Sequence, residues 1–261
     1  MKTIHFVAGL PRSGSTMMMN ILKQNPHVGA APVSSLCTVI NAVNINWESV
    51  EANREYPNDT AKIDTLTSIL QGYHKSSKKD IIFDKDRLWV TKIGLIENII
   101  QAKIKILCPV RNPAEIITSF ERIRRNNPLR IIGGDSGISN VSTRALYYSA
   151  PDGVLGLSHA AHKDAVIEGY LDRLLFVDYN KFCNTPKSQL KRIYEFFELP
   201  KFEHNMESIV QNEQYNDHAT GHPGLHKIKN RLERTTVNCV QFLGLELYEQ
   251  YNREIFWDAW V

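Results

Sequence analysis

Apolar residues run along the chain in two alternating rhythms. Thr3 to Ala8 (TIHFVA), Ile81 to Phe83, Lys103 to Val110 (KIKILCPV) and Leu174 to Val177 are short β-rich runs that read as buried strands. Helical stretches lie between them: Thr60 to Tyr73, Gly94 to Ala102, Ala114 to Arg125 and His159 to Tyr170. Another, Thr16 to Gln24 (TMMMNILKQ), is closed by Asn25 and Pro26, and SQLKRIYEFFEL follows Pro186 with apolar residues at helical spacing before Pro200. Strands alternating with helices predict an α/β fold. Its central, mostly parallel sheet is flanked by helices in three layers.

Two segments break the rhythm. Asn126 to Ser149, rich in Gly, Ser and Asn, reads as a lid or acceptor loop rather than a linker. From about Asn216 a polar and basic C-terminal arm leads into a helix-like tail ending in FWDAWV. No internal repeat or low-complexity tract divides the chain, so residues 1–261 are expected to form one domain.

Composition narrows the function. A content of 43% hydrophobic and 23% charged residues supports a packed core and argues against disorder. No run approaches the roughly 20 apolar residues of a membrane span, and Pro11 and Arg12 cut the first apolar run too soon for a secretory signal. A cytoplasmic location is therefore expected. Cys37, Cys108, Cys183 and Cys239 are far apart, as isolated reduced thiols are. A net charge of +3 is too balanced for a protein that wraps nucleic acid, but a small acidic ligand needs only a few placed cations.

Two segments supply those cations. GLPRSGST follows the first strand and opens a helix, so that successive backbone N–H groups converge on one anion. Its spacing of Gly9, Gly14, Ser15 and Thr16 copies a Walker loop, except that Ser15 occupies the place of the Lys. Arg12, inside the loop, offers a forked donor for phosphate or sulfonate oxygens. The second segment, CPVRNPAEIITSFERI, ends a buried strand at Arg111, turns through Asn112 and Pro113 and starts a helix that carries Ser119 about two turns in. Alone, Arg111 is as readily a salt-bridge partner of Glu115 or Glu121. With the first loop, it makes two phosphate grips on one sheet edge, suited to a nucleotide bearing phosphates at both ends.

LPRSGST followed by VRNPAEIITSF resembles the two nucleotide-binding motifs of sulfotransferases that use 3′-phosphoadenosine 5′-phosphosulfate, of the bacterial type and with similarity to the protein-tyrosine branch. The resemblance implies that Pro11, Arg12, Ser13, Gly14, Ser15 and Thr16 hold the 5′-phosphosulfate and that Arg111 and Ser119 hold the 3′-phosphate. FVDYNKFCNTPKSQLKRIYEFFELP is similar to the family's strand–Tyr–helix element and brings Tyr179 to the nucleotide, with Asn180 where an acidic residue is usual. FDKDRLWVTKIGLIENI resembles the Lys-containing segment and places Lys85 at the sulfonate. GLHKIKNRLER is similar to the family's basic C-terminal loop, which adds Lys227 with Lys229 and Arg231. The islands together cover most of residues 3 to 200.

The chemistry this implies is in-line transfer of a sulfonate group from 3′-phosphoadenosine 5′-phosphosulfate to a hydroxyl or amine of a small-molecule, saccharide or peptide acceptor. Arg12, Lys85 and the loop amides stabilise the developing charge, without a metal. The stretch from Ala30 to Asn46 and the lid from Asn126 to Ser149 would select the acceptor. Val33 and Ser34 stand where related enzymes carry a Glu, and Arg87 stands where a His is sought, which leaves Asp86, His162 and His226 as candidate bases. His159 with His162, and the series His218, His222 and His226, lack a Cys or carboxylate frame for a metal. Two other readings remain: a P-loop small-molecule kinase, and a non-catalytic binder of adenosine 3′,5′-bisphosphate.

Overall fold

Five strands form one wholly parallel sheet in a computed structural model that describes residues 2–31, 33–127, 140–211, 215–217 and 224–261. They are β1 (Thr3–Val7), β2 (Val28–Ala30), β3 (Ile81–Lys85), β4 (Ile106–Val110) and β5 (Leu174–Asp178), ordered β2–β3–β1–β4–β5. The helices are α1 (Ser15–Leu22), α2 (Leu36–Asn46), α3 (Glu51–Glu55), α4 (Asp59–Tyr73), α5 (Ile93–Ile100), α6 (Pro113–Asn126), α7 (Val141–Ser149), α8 (Val154–Ile167), α9 (Tyr179–Asn184), α10 (Pro186–Phe197), α11 (Cys239–Leu243) and α12 (Leu245–Asn252). A parallel sheet is covered on both faces, so its strands are apolar almost throughout; all five residues of β4 are buried.

Alternation along each strand sorts the core into two layers. Phe6, Ile106, Cys108 and Phe176 face the layer that holds α2 and α4 to α8. Val7, Phe83, Leu107 and Val177 face α1, which contributes Met18, Met19, Ile21 and Leu22, and α10, which contributes Leu190, Ile193 and Phe197. The chain leaves β1 toward β3 and β2, then returns to the other side of β1 with β4 and β5. The connections therefore diverge between β1 and β4, and a ligand crevice forms at the carboxyl ends of those two strands. Both segments expected to bind anions, at Gly9 to Thr16 and from Arg111, start there.

Several expectations change. The expected acceptor stretch from Ala30 to Asn46 opens on the last residue of β2 and holds the eleven-residue α2, whose Leu36, Cys37 and Ile40 are buried. Ser34 Oγ accepts the Leu36 N–H at 3.1 Å and so helps to start α2. Within the lid stretch, residues 141–149 are α7, capped by Asn140 Oδ1 on the Thr143 N–H; residues 128–139 lie outside the described residues. Helix α8 begins at Val154, ahead of the expected start at His159.

His162 is not positioned as a base. It is fully buried, with Nδ1 2.6 Å from Ser158 O and Nε2 2.6 Å from Ala8 O. Its partner follows from Pro109. The β1–β4 ladder runs Phe6 N to Lys105 O, then Ala8 N to Leu107 O, then Leu10 N to Pro109 O. A parallel ladder would also take the residue-109 N–H to Ala8 O, but proline has none. The imidazole of His162 fills that vacancy, so the carbonyl just before the first loop is not left buried and unpaired. Burial also lowers the His162 pKa, against its carbonyl contacts, which favour the charged form.

Candidate active site

The first loop runs from the end of β1 into α1. Gly14 is the N-cap residue of α1 at φ 80°, with no side-chain cap on the helix and no acidic residue in its first turn, so the N-terminal amides around Ser15 and Thr16 suit an anion. A Cβ at Gly14 would sit 2.7 Å from Tyr179 Cδ2, so the left-handed turn and the packed ring both call for glycine. Ser13 is buried and its hydroxyl donates to Leu10 O at 2.7 Å, which closes the turn; Pro11 is buried beside it.

Arg12 also has positive φ, at 59°, which costs a non-glycine residue about 1 kcal/mol. Its guanidinium holds that conformation by donating from Nε to Ser119 Oγ at 3.1 Å and from Nη1 to Leu225 O. The two anchors expected at opposite ends of a nucleotide are thus directly hydrogen-bonded. Arg111, at the end of β4, is 4% exposed and donates from Nη1 to Arg12 O at 3.2 Å and from Nη2 to Thr235 O at 3.4 Å. It lies over the Tyr179 ring, 4.3 Å from the centroid. Burial, then the charge of Arg111, pushes the Arg12 pKa down to about 10. Two guanidinium groups packed this closely favour an anion between or above them.

The salt-bridge reading of Arg111 holds as well, and it belongs to the same cluster. Glu115 Oε2 accepts from Arg111 Nε at 2.7 Å, while its Oε1 accepts from Asn180 Nδ2 at 3.1 Å and lies 3.8 Å from Arg234. Asn180 thus shares Glu115 with Arg111 and helps to orient its carboxylate. Glu121 is not a partner of Arg111: it forms a buried fork with Arg144, at 2.6 and 2.8 Å. Tyr179 begins α9, behind Asp178, whose carboxylate caps the Asn180 and Lys181 amides. Its hydroxyl accepts the Thr235 N–H at 3.0 Å and so ties the C-terminal arm to the cluster.

Lys85 ends β3 in register with Val7, the last residue of β1. Its carbonyl accepts the Ser34 N–H and the next amide, of Asp86, donates to Val7 O, so position 85 is laced to the strand that feeds the first loop. Burial, reinforced by Arg87 and Arg12 and offset in part by Asp86, lowers the Lys85 pKa to about 8. Asp86 spends Oδ1 on the Leu88 N–H at 2.8 Å, in a turn. Lys227 is exposed on the arm, and its neighbours Lys229 and Arg231 both pair with Glu233.

Sequence reasoning brought the arm to the site through its basic residues but missed the contacts that the arm makes with the two arginines. Leu225 and Thr235 contribute carbonyls to Arg12 and Arg111, a role that any residue type fills and no motif shows. Asp217 accepts from His226 at both the backbone N–H (3.0 Å) and Nδ1 (2.6 Å), which supplies the carboxylate partner that the histidine series lacked. His218 and His222 lie outside the described residues. Among the described residues, no group of His, Cys, Asp and Glu could hold a metal, and no helix is long and apolar enough to cross a membrane.

Among solved structures, the chain is similar to the sulfotransferase domain of the curacin biosynthetic pathway, with TM-score 0.56 and 16% identity over 95% of this chain and 98% of that one. The sulfotransferase domain of the Synechococcus olefin synthase gives TM-score 0.55 and 17% identity over 96% of both chains. A sulfotransferase from Alicyclobacillus acidocaldarius gives 0.50 and 13% over 81% of this chain and 87% of that one. At these identities the likeness is one of fold, and no curated protein matches. The sequence model of the sulfotransferase family, by contrast, matches residues 5–204, the span from β1 past α10 that contains both anion-binding segments, Lys85 and Tyr179; the chain belongs to that family and is a sulfonate-transferring enzyme.

Proposed function

We propose that the donor is 3′-phosphoadenosine 5′-phosphosulfate and that the acceptor is a small molecule with a hydroxyl or amine group. One observation carries this reading: Arg12 of the first loop, Ser119 and Arg111 of the second segment, and Tyr179 form a single bonded cluster in the crevice between β1 and β4. Arg111 and Ser119 bind the 3′-phosphate, and the loop amides with Ser15 and Thr16 bind the 5′-phosphosulfate, while Ser13 holds the turn through Leu10 O. Tyr179 braces the loop at Gly14. Lys85, with Arg12, stabilises negative charge on the transferring sulfonate and the departing phosphate. These cations suffice for a leaving group that is already a phosphate, so the reaction runs without a divalent ion. Ser15 in place of a Walker lysine supports this reading over a kinase. The four free cysteines, three of them buried, support a reducing, cytoplasmic setting.

The test is a pair of calorimetric titrations, with adenosine 3′,5′-bisphosphate and with ATP plus magnesium, followed by incubation with sulfur-labelled donor and an acceptor library. Micromolar binding of the bisphosphate, weak binding of ATP and label on an acceptor are expected. Tight ATP binding, with no measurable affinity for the bisphosphate, overturns the donor assignment.

A further inference from the structure

A groove of about 400 Å³ lies along β2, the strand at the sheet's free edge, and is lined by Gly29, Ala30, Ala31 and Val33, by Ile82 and His74, and by Tyr215 of the C-terminal arm. That volume suits a small molecule, and the lining is largely apolar. Two connections join it to the nucleotide cluster. On one side Val33 precedes Ser34, whose amide donates to the Lys85 carbonyl. On the other, the Tyr215 ring stacks on His226, at 4.6 Å and 20°, and His226 follows Leu225, the residue whose carbonyl receives Arg12.

The polar groups at this junction are arranged for a ligand. The Tyr215 hydroxyl is buried and has no hydrogen-bond partner among the described residues. A phenol so placed is rare in a folded protein and suits a polar group of a bound ligand. Burial, with Asp217 nearby, pushes its pKa up to about 12, so it remains a neutral donor. His226 gives its Nδ1–H to Asp217 Oδ1, which fixes the tautomer and leaves the Nε2 lone pair as an acceptor with no partner among the described residues. Asp217, 8% exposed, is close enough to Arg12 to raise that residue's pKa. The pair therefore touches the groove through Tyr215 and lies near Arg12 of the first loop. His74 pairs with Asp84, but that carboxylate is spent on Ser34 and Trp89 as well, within a closed network beneath the groove.

We propose that the groove binds the apolar body of a hydroxyl-bearing acceptor, that the Tyr215 hydroxyl orients the acceptor oxygen, and that His226 is the general base, held in place by Asp217. The proposal deepens the functional reading above and rests on it. As the acceptor oxygen forms its bond to sulfur, His226 Nε2 takes the hydroxyl proton. The bond from sulfur to the phosphate oxygen breaks, and its electron pair stays on that oxygen. The products are a sulfate ester, adenosine 3′,5′-bisphosphate and a protonated His226 whose charge Asp217 balances.

The test uses the full chain and its His226→Gln, Asp217→Asn and Tyr215→Phe variants. Calorimetry with 2-naphthol, in the presence of adenosine 3′,5′-bisphosphate, should show binding that Tyr215→Phe weakens by about fivefold and His226→Gln leaves within about twofold. Sulfonate release from labelled donor is then measured to 2-phenylethanol, to water and to 4-nitrophenol, whose acidity lessens the need for a base. His226→Gln should slow transfer to the alcohol and to water by about 100-fold or more, and to 4-nitrophenol by less than about tenfold, with bisphosphate affinity unchanged. Asp217→Asn should lower kcat in the same order of acceptors without changing KM. Equal losses on all acceptors, or an unaffected alcohol reaction, overturn the base; absence of 2-naphthol binding overturns the groove. A wild-type chain that fails to bind the bisphosphate sinks the donor assignment itself, a result distinct from any of these.

Discussion

The sheet carries two neighbourhoods built in opposite ways, one at the carboxyl ends of β1 and β4 and one along its edge strand β2. Between β1 and β4 the arginine cluster comes mainly from contiguous segments, each of which runs from a strand end through a tight turn into a helix, so that local backbone geometry starts the aim and a few packed side chains complete it. Along β2 the groove draws residues from the edge strand, from β3, from the end of α4 and from the arm, which are distant in sequence and share no motif. The first arrangement suits a ligand that does not vary, such as the proposed doubly phosphorylated donor. The second lets an acceptor site change one side chain at a time without disturbing the cradle.

The largest expected effect tests whether Lys85, at the seam, serves the chemistry rather than binding. Lys85→Ala should lower kcat by about 10³-fold, about 4 kcal/mol, with adenosine 3′,5′-bisphosphate affinity within about threefold. The required form is the cation, and burial has lowered its pKa to about 8, so charge is lost as pH rises through that value. In free enzyme, kcat/KM should therefore fall about tenfold per pH unit above about pH 8, and Lys85→Arg should move that limb upward. A flat alkaline profile would assign Lys85 to structure.

Arg111→Ala comes next and confines its effect to one end of the donor. Loss of the buried guanidinium should weaken adenosine 3′,5′-bisphosphate by about 30-fold, about 2 kcal/mol, and leave adenosine 5′-phosphosulfate nearly unchanged. Equal weakening of both ligands would mean that Arg111 acts through Arg12 and the loop, and the two-ended cradle would fail as a description.

The same contrast explains what the sequence revealed. The nucleotide side is legible because each residue there has a local reason: Gly14 for positive φ, Asn112 and Pro113 for a helix start, Arg111 for a strand end that faces the crevice. The edge is not. Strand β2 is three small residues, and TVINAVNIN in α2 is rich in β-branched and polar residues whose helix forms because Leu36, Cys37 and Ile40 meet the core. The pairing of Asp217 with His226 depends on how the arm folds back, which no spacing encodes. His162 is among the candidate bases only because the family's Glu and His positions are occupied by other residues. Its actual partner is a carbonyl orphaned by Pro109 on another strand, a consequence visible only once the β1–β4 register is known.

That account of His162 predicts a measurable coupling within the nucleotide half. His162→Ala should cost about 2 kcal/mol of stability by leaving Ala8 O buried and unpaired. Pro109→Val restores an N–H on the neighbouring strand, so the double variant should be more stable than the sum of the single effects by about 1 kcal/mol in urea unfolding. Strict additivity would separate His162 from the loop.

The smallest effect concerns Glu115, an anion placed where a second anion is to bind. Its carboxylate holds Arg111 by Nε and Asn180 by Nδ2, and so positions the fork while repelling a 3′-phosphate nearby. Glu115→Gln keeps an oxygen for Arg111 but removes the charge. If positioning outweighs repulsion, affinity for adenosine 3′,5′-bisphosphate falls; if the fork is already fixed by Arg12 O, Thr235 O and the Tyr179 ring, affinity rises. Those three contacts remain in the variant, so a gain of about twofold to threefold at low salt, shrinking as ionic strength increases, is the expected result. A loss of affinity would show instead that the cradle depends on its one carboxylate for shape.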